Sequence, residues 1–256
     1  QIITDGSETN TANYVENYIT AIATHWLTGL SKYRFSNPEP LVVPQNRVWY
    51  NQELNSHYFI LPGTLSITLT LIGMLLTALV VSREWERGTM ETLITTRARK
   101  IDIVLSKYIA YFILGFASVI FNVMVCVHIF DIPFRGSYAV LWLTSSLFLF
   151  AALGQGLFIS SALKNQFTAS QAALVGGFMP SLILSGLVFP IQSMPKLVQY
   201  VTWLIPARYY LPCAQSEFLA GTIWDVILPN SIAMLCFSIV LMIAVYRKTD
   251  MRLEKC

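Results

Sequence analysis

The 256 residues are 55% hydrophobic and 12% charged, with a formal net charge of +3. A chain so apolar and so short of charge departs from soluble averages, and the composition points instead to a polytopic membrane protein. The four cysteines are too few and too scattered for a disulfide framework, and His25, His57 and His128 stand too far apart to form a Cys/His metal site.

In chain order, residues 1–57 do not resemble membrane. Asp5, Gly6 and Ser7 read as a turn, and Thr9 or Asn10 can cap a helix running to about residue 30, with Tyr14, Ile19, Ile22 and Trp26 among its apolar positions. Residues 41–43 and 48–50 are short β-like pieces among Pro38, Pro40 and Pro44. The segment is expected to be the closing part of a small α/β extracytoplasmic domain, too short for a sizeable core of its own. Five charge-poor runs follow, at residues 58–82 and at about 103–130, 138–163, 167–190 and 226–246. Each is long enough for the about 20 residues that cross a hydrocarbon core. Between the last two, residues 191–222 are broken by Pro195, Pro206 and Pro212 and carry Tyr200, Trp203, Tyr209 and Tyr210. That spacing predicts two short interfacial or re-entrant helices with their aromatics at headgroup level, not a sixth span. The fold class expected is an all-α membrane protein of five transmembrane helices with a remnant of a small α/β domain.

Lys and Arg concentrate on one side of these spans, with Arg83, Arg87, Arg97, Arg99 and Lys100 in a single connection. The excess marks the cytoplasmic face, so the C-terminus is expected inside and residues 1–57 outside. A polar leader reaches the far side only with a signal or an anchor, and Gln1 is not a start methionine. The sequence is therefore expected to be a fragment whose upstream helix is missing.

The connection at residues 83–100 is the one dense island of charge. Its plainest reading is a loop whose cations orient the spans. Yet Met90, Leu93, Ile94 and Ile101 recur at three- and four-residue steps, which predicts a short helix with one apolar face, able to lie on the membrane or dock into a partner. Within the spans, Ala169, Ala173, Gly176 and Gly177 form one small-residue face and Gly154, Gly156 and Ser160 another, read first as helix packing. Asn122, Gln155 and Gln171 bond between helices or line a translocation path. No Asp, Glu, Lys or Arg is expected at mid-depth, which argues against a proton- or sodium-coupled carrier. The chain has no G-x-x-x-x-G-K-[ST] loop, nucleophile elbow or His-Glu metal motif, so it is not expected to be an enzyme or to hold ATP itself.

The string EWERGTMETL, comprising Glu84, Glu86, Arg87, Gly88, Thr89, Met90, Glu91 and Leu93, resembles the cytoplasmic segment after the second helix in the type 2 permeases of ATP-binding-cassette (ABC) exporters. The family often continues with a proline, where this chain has Thr95 and Thr96. The likeness extends through DGSETNTANYVENY, HYFILPG, LSKYIAYF, LKNQFTASQ and SGLVFPIQSMPKLVQYVTWLIPARYY, essentially the whole chain, and is closest to the bacterial multidrug-type members. It implies that the five spans are helices two to six of a six-helix permease. It also implies a homo- or paralogous dimer in the bacterial inner membrane, working with a cytosolic ABC ATPase that holds ATP and Mg2+, and with no nucleic acid as partner. Residues 83–100 would carry ATPase closure to the spans. Glu84, Glu86, Arg87 and Glu91 would make the polar contacts or brace the loop, Met90, Leu93 and Ile94 would anchor the helix, and Gly88 would let the chain turn beside Thr89. The outer segment, with Arg208, Tyr209 and Tyr210, would form a gate or a seat for a periplasmic membrane-fusion adaptor. Arg208 alone reads first as a snorkelling or cation-π arginine. Export of hydrophobic or amphipathic compounds is the leading function. Export of a lipid-linked glycan or envelope component, and a non-transporting scaffold, are the alternatives.

Overall fold

The computed structural model describes residues 9–34, 56–97 and 99–249. The chain divides into two units, Gln1–Ile60 and Leu61–Cys256. In the first, α1 (Thr9–Arg34) begins where the sequence places its cap and runs about one turn beyond residue 30. Tyr14, Tyr18, Ile22 and Trp26, four residues apart, are all exposed along it. The β-like pieces at 41–43 and 48–50 lie outside the described residues, and among the described residues every regular element is helical.

Among the described residues five helices are long and apolar enough to cross a membrane, all but the first residue of the first lying in the second unit: Ile60–Glu86, Lys100–His128, Tyr138–Ala162, Gln166–Leu184 and Trp224–Lys248. All five expected spans are therefore present, with shifted ends. The first is built from α2 (Ser56–Leu71), a π turn (Ile72–Leu76) and α3 (Thr77–Glu86). It outruns the expected boundary at residue 82 because charge does not end a helix, whereas the left-handed Gly88 (φ +69°) does. The fourth comprises α7 (Gln166–Ala173), a π turn (Leu174–Phe178) and α8 (Met179–Leu184), and stops short of residue 190. Gly186 there takes φ +99°, which no right-handed helix contains.

Helix α6 (Tyr138–Ala162) is the hub, packing most extensively on α11 (Trp224–Lys248) and α3, and also on α5 (Lys100–His128). It buries Phe148, Leu149, Leu153 and Leu157 almost completely. The small residues foreseen as packing faces serve as such: Ala169, Ala173, Gly154, Gly156 and Gly177 are buried, while Gly176 has nothing near it. A side chain at Gly156 would run into the Thr77 hydroxyl and the Met74 backbone, so α6 lies directly on the π turn of the first span. By contrast Leu228, Ile232, Leu235 and Ile239 of α11 are exposed, as expected of a surface solvated by lipid.

The segment between α8 and α11 contains a 3-10 turn (Ile191–Ser193), α9 (Lys196–Thr202), α10 (Ala207–Gln215) and a π turn (Ser216–Ala220). Two short helices are thus present as expected. Tyr200 and Trp203 are exposed, but Tyr210 departs from the headgroup-level expectation and is fully buried. Its hydroxyl shares a 2.8 Å hydrogen bond with Ser145, and its ring stacks on Phe148 at 4.5 Å, so α10 is folded inward onto α6.

Candidate coupling site at the charged end of the spans

Arg83, Glu84, Trp85 and Glu86 form the last turn of α3. Gly88 then reverses the chain into α4 (Thr89–Thr95), the short helix expected from the apolar spacing. The Thr96 amide closes α4 on the Leu93 carbonyl, so helix α4 ends at the threonines without needing a proline. Met90 is fully buried and Leu93 half-buried, so these side chains tether α4; burial of a methionine is worth about 2 kcal/mol. Ile94 lies on the same helix. A bend follows, and the Arg99 amide donates to the Asp102 carboxylate at 3.1 Å to start α5.

Two acidic residues of the island, Glu84 and Glu86, bond to neighbouring helices. Glu84 forms an ion pair with Lys107 of α5. Glu86 accepts the Gln166 backbone N–H at 2.7 Å and is also bonded by the Gln166 side-chain amide, so a carboxylate sits at the start of α7, where unpaired N–H groups favour negative charge. Arg83 Nε donates to Gln166 Oε1 at 3.3 Å, and the Lys164 ammonium lies 4.5 Å from the Trp85 ring centroid. One turn deeper, the Ser160 hydroxyl of α6 accepts the N–H groups of Val81 and Ser82 at 2.9 and 3.0 Å. Lys100 donates to the Thr249 carbonyl at 3.0 Å, joining the start of α5 to the end of α11. Five helix ends are therefore tied to one polar layer.

Arg87 and Glu91 differ. Both are exposed, and among the described residues neither side chain has a hydrogen-bond or ion-pair partner. The Thr89 hydroxyl donates back to the Glu84 carbonyl at 3.3 Å, fixing the turn that presents Arg87. The arrangement is a short helix held at its apolar face and braced at its root, with the exposed Arg87 in the turn before it and the exposed Glu91 on it. The turn before α4 is thus joined to α5 through Glu84 and Lys107, and to α7 through Glu86 and Gln166.

The other expected site residues fall elsewhere. Asn122 donates to the Ser118 carbonyl of its own helix at 3.2 Å, Gln155 is half-buried, and Gln171 is exposed. Arg208 donates to the Gln199 carbonyl at 3.1 Å and to the Thr202 hydroxyl, with its guanidinium 5.5 Å from the Trp203 ring centroid. Tyr209 bonds the Trp203 carbonyl at 3.0 Å. Those two residues knit α9 to α10.

Sequence reasoning missed the partners. Lys107 carried a signal, being a lone cation two turns into an apolar helix, where a counter-charge is needed. Glu217, in the π turn after α10, carried none. Its side chain is fully buried, and one oxygen accepts the Ser137 N–H at 2.7 Å and the Thr222 hydroxyl at 3.2 Å. The same residue's carbonyl accepts the Gly136 N–H at 2.8 Å, which ties the α5–α6 connection to the segment before α11 at the end opposite the charged island. The Cys213 thiol nearby is pushed up to about 12, first by burial and then by the Glu217 charge.

The described residues form a membrane-spanning helical bundle with a braced amphipathic helix between the first two of its described spans. Residues 1–247 match the model of the ABC-2 family transporter protein family, and the chain belongs to that family. It is 43% identical over 254 residues to the Escherichia coli protein named "Probable multidrug ABC transporter permease YbhS", covering 99% of this chain and 67% of that one. It is 30% identical over 232 residues to the E. coli permease YbhR, covering 89% and 61%, and 25% identical over 225 residues to the E. coli inner membrane transport permease YhhJ, covering 87% and 58%. The chain thus spans about two thirds or less of the length of these relatives.

Proposed function

We propose that this chain is the permease part of an ATP-driven exporter that moves hydrophobic or amphipathic, drug-like compounds out of the cytoplasm or the inner leaflet. The names of the relatives support multidrug transport, and the apolar spans suit such cargo. In this reading two permeases, identical or paralogous, sit in the bacterial inner membrane with the charged island and C-terminus in the cytoplasm. ATP and Mg2+ belong to a cytosolic ATPase partner, whose closure pushes on α4. Arg87 and Glu91 make the polar contacts with it, Glu84 and Glu86 pass the displacement to α5 and α7, and Met90 and Leu93 keep α4 from peeling away. The outer segment around Arg208, Tyr209 and Tyr210 serves as the external gate, and a periplasmic adaptor would seat there. Asn122, Gln155 and Gln171 remain the polar positions for a translocation path.

The observation that carries this proposal is α4 itself, anchored on its apolar side and braced through both acids of the preceding turn, with unpaired charges facing out. The test is co-purification of the full-length permease from membranes, native and with Arg87→Glu plus Glu91→Lys, which leave the internal bonds intact. The native protein is expected to retain an ABC ATPase that the variant loses while still inserting in the membrane. Equal retention by both would remove the coupling role of α4, and no ATPase with either would remove the ATP-driven reading.

A further inference from the structure

A cavity of about 350 Å³ opens between the last two turns of the first span and the start of α5, beside the root of α4. Its lining divides along the helix axis: Leu76, which is exposed, Leu79 and Tyr111 lie toward the middle of the spans, whereas Arg83, Arg87 and Lys107 lie toward their charged end with Glu84 as the single carboxylate. From Leu76 to Arg83 the helix rises roughly 10 Å, so the cavity has a cationic end and, further along the spans, a mostly apolar one that includes the Tyr111 ring. It goes beyond the export reading and does not depend on the cargo or the ATPase.

We propose that this cavity binds an anionic phospholipid of the phosphatidylglycerol type, with its phosphate among the three cations and its first acyl carbons against Leu76 and Leu79. Charge complementarity favours it: three cations face one carboxylate, and Arg87 has no partner among the described residues. Glu84 spends one oxygen on Lys107, while its other oxygen is buried with no hydrogen-bond partner. A buried acceptor is costly to leave unmet, so the ligand should bring a donor next to its anion, as a glycerol hydroxyl does. The size fits as well, since about 300 Å³ is the lower end for ligand pockets, enough for a headgroup and the beginning of a chain. An acidic side chain from a protein partner would satisfy the cationic end but leave Leu76 and Leu79 uncovered. Because Thr89, the first residue of α4, also lines the cavity, a seated lipid would wedge against the root of α4 and set its position.

Native mass spectrometry of the full-length permease in detergent tests this. The protein is titrated with phosphatidylglycerol, phosphatidylethanolamine and phosphatidylcholine of identical acyl chains, and with inorganic phosphate as a headgroup-only competitor. Phosphatidylglycerol is expected to bind at several-fold lower concentration than the other two. Arg87→Gln should weaken it about fivefold, the effect of one basic residue near an anionic surface, and Leu79→Trp should fill the apolar end and abolish the preference. Arg97→Gln, exposed on the same connection but outside the cavity, should change nothing. Equal binding of the three lipids, or equal weakening by Arg87→Gln and Arg97→Gln, would overturn the proposal. Displacement of the lipid by inorganic phosphate at matched concentration would overturn the acyl contact. Loss of a co-purifying ATPase from Arg87→Gln with lipid binding unchanged would make the cavity a protein-docking site instead.

Discussion

Replacing glycines by alanine should affect stability according to which atoms the new methyl meets, and three glycines allow the comparison at constant chemistry. At Gly156 the methyl would overlap the Thr77 hydroxyl and the carbonyl oxygen and Cα of Met74, two of which are backbone atoms of the first span. Neither helix can yield locally, because Thr77 also donates to the Gly73 carbonyl and Ser160 holds Val81 and Ser82 one turn away. The cost belongs at the upper end of overpacking, about 3 kcal/mol, or about a hundredfold in the folding equilibrium. At Gly177 the methyl meets only the end of the Met74 side chain, a flexible thioether that can swing aside, so the cost should be about 1 kcal/mol. At Gly176 nothing lies within 4 Å, and Gly176→Ala should be neutral. SDS titration of the purified protein, followed by tryptophan fluorescence, should rank the variants Gly176→Ala, Gly177→Ala, Gly156→Ala in order of decreasing stability. If Gly156→Ala unfolds at the same SDS fraction as the native protein, the close seating of α6 on the first span is wrong.

The ion pair between Lys107 and Glu84 is partly buried, with 25% and 17% of the side chains exposed, so Lys107→Met should destabilise by about 1–3 kcal/mol. The double variant with Glu84→Gln should recover most of that, and a double-mutant cycle in the same titration checks it. Gly88→Ala forces a side chain into φ +69° at a cost of about 1–2 kcal/mol, although no neighbour clashes. Gly88→Asn should retain transport in an efflux assay where Gly88→Val loses it. Glu217→Leu would remove the acceptor shared by the Ser137 N–H and the Thr222 hydroxyl, leaving that N–H only its 3.2 Å bond to Thr222, and should cost about 1 kcal/mol, whereas Glu217→Gln keeps an acceptor and should cost less, as thermal unfolding in detergent would show. With its thiol raised to about 12, Cys213 is roughly one part in ten thousand thiolate at pH 8. The thiolate fraction grows tenfold with each pH unit, yet maleimide mass spectrometry should find Cys213 unmodified at pH 8 until the protein is unfolded.

The sequence by itself determined the number of spans, the two short helices of the outer segment and the presence of α4, because each follows from local composition. A charge-free run longer than a bilayer core has to be a helix, prolines at Pro195, Pro206 and Pro212 forbid another, and a three-to-four residue spacing has a helical face wherever it occurs. The bounds were less legible: the first span continues through Glu86 because only Gly88 stops it, and the fourth ends early because Gly186 does. Only the tertiary structure decided the partners. Glu84 with Lys107, Glu86 with Gln166 and Tyr210 with Ser145 are separated by 23, 80 and 65 residues. Which helices adjoin, and at what rotation, is fixed by small residues such as Gly156 and by the π turn at Ile72–Leu76, which shifts the first span's register with no mark in its sequence. That rotation brought Glu84 and Glu86 within reach of Lys107 and Gln166 and left Arg87 and Glu91 without a partner among the described residues, because a side chain's role depends on what packing brings within hydrogen-bond reach.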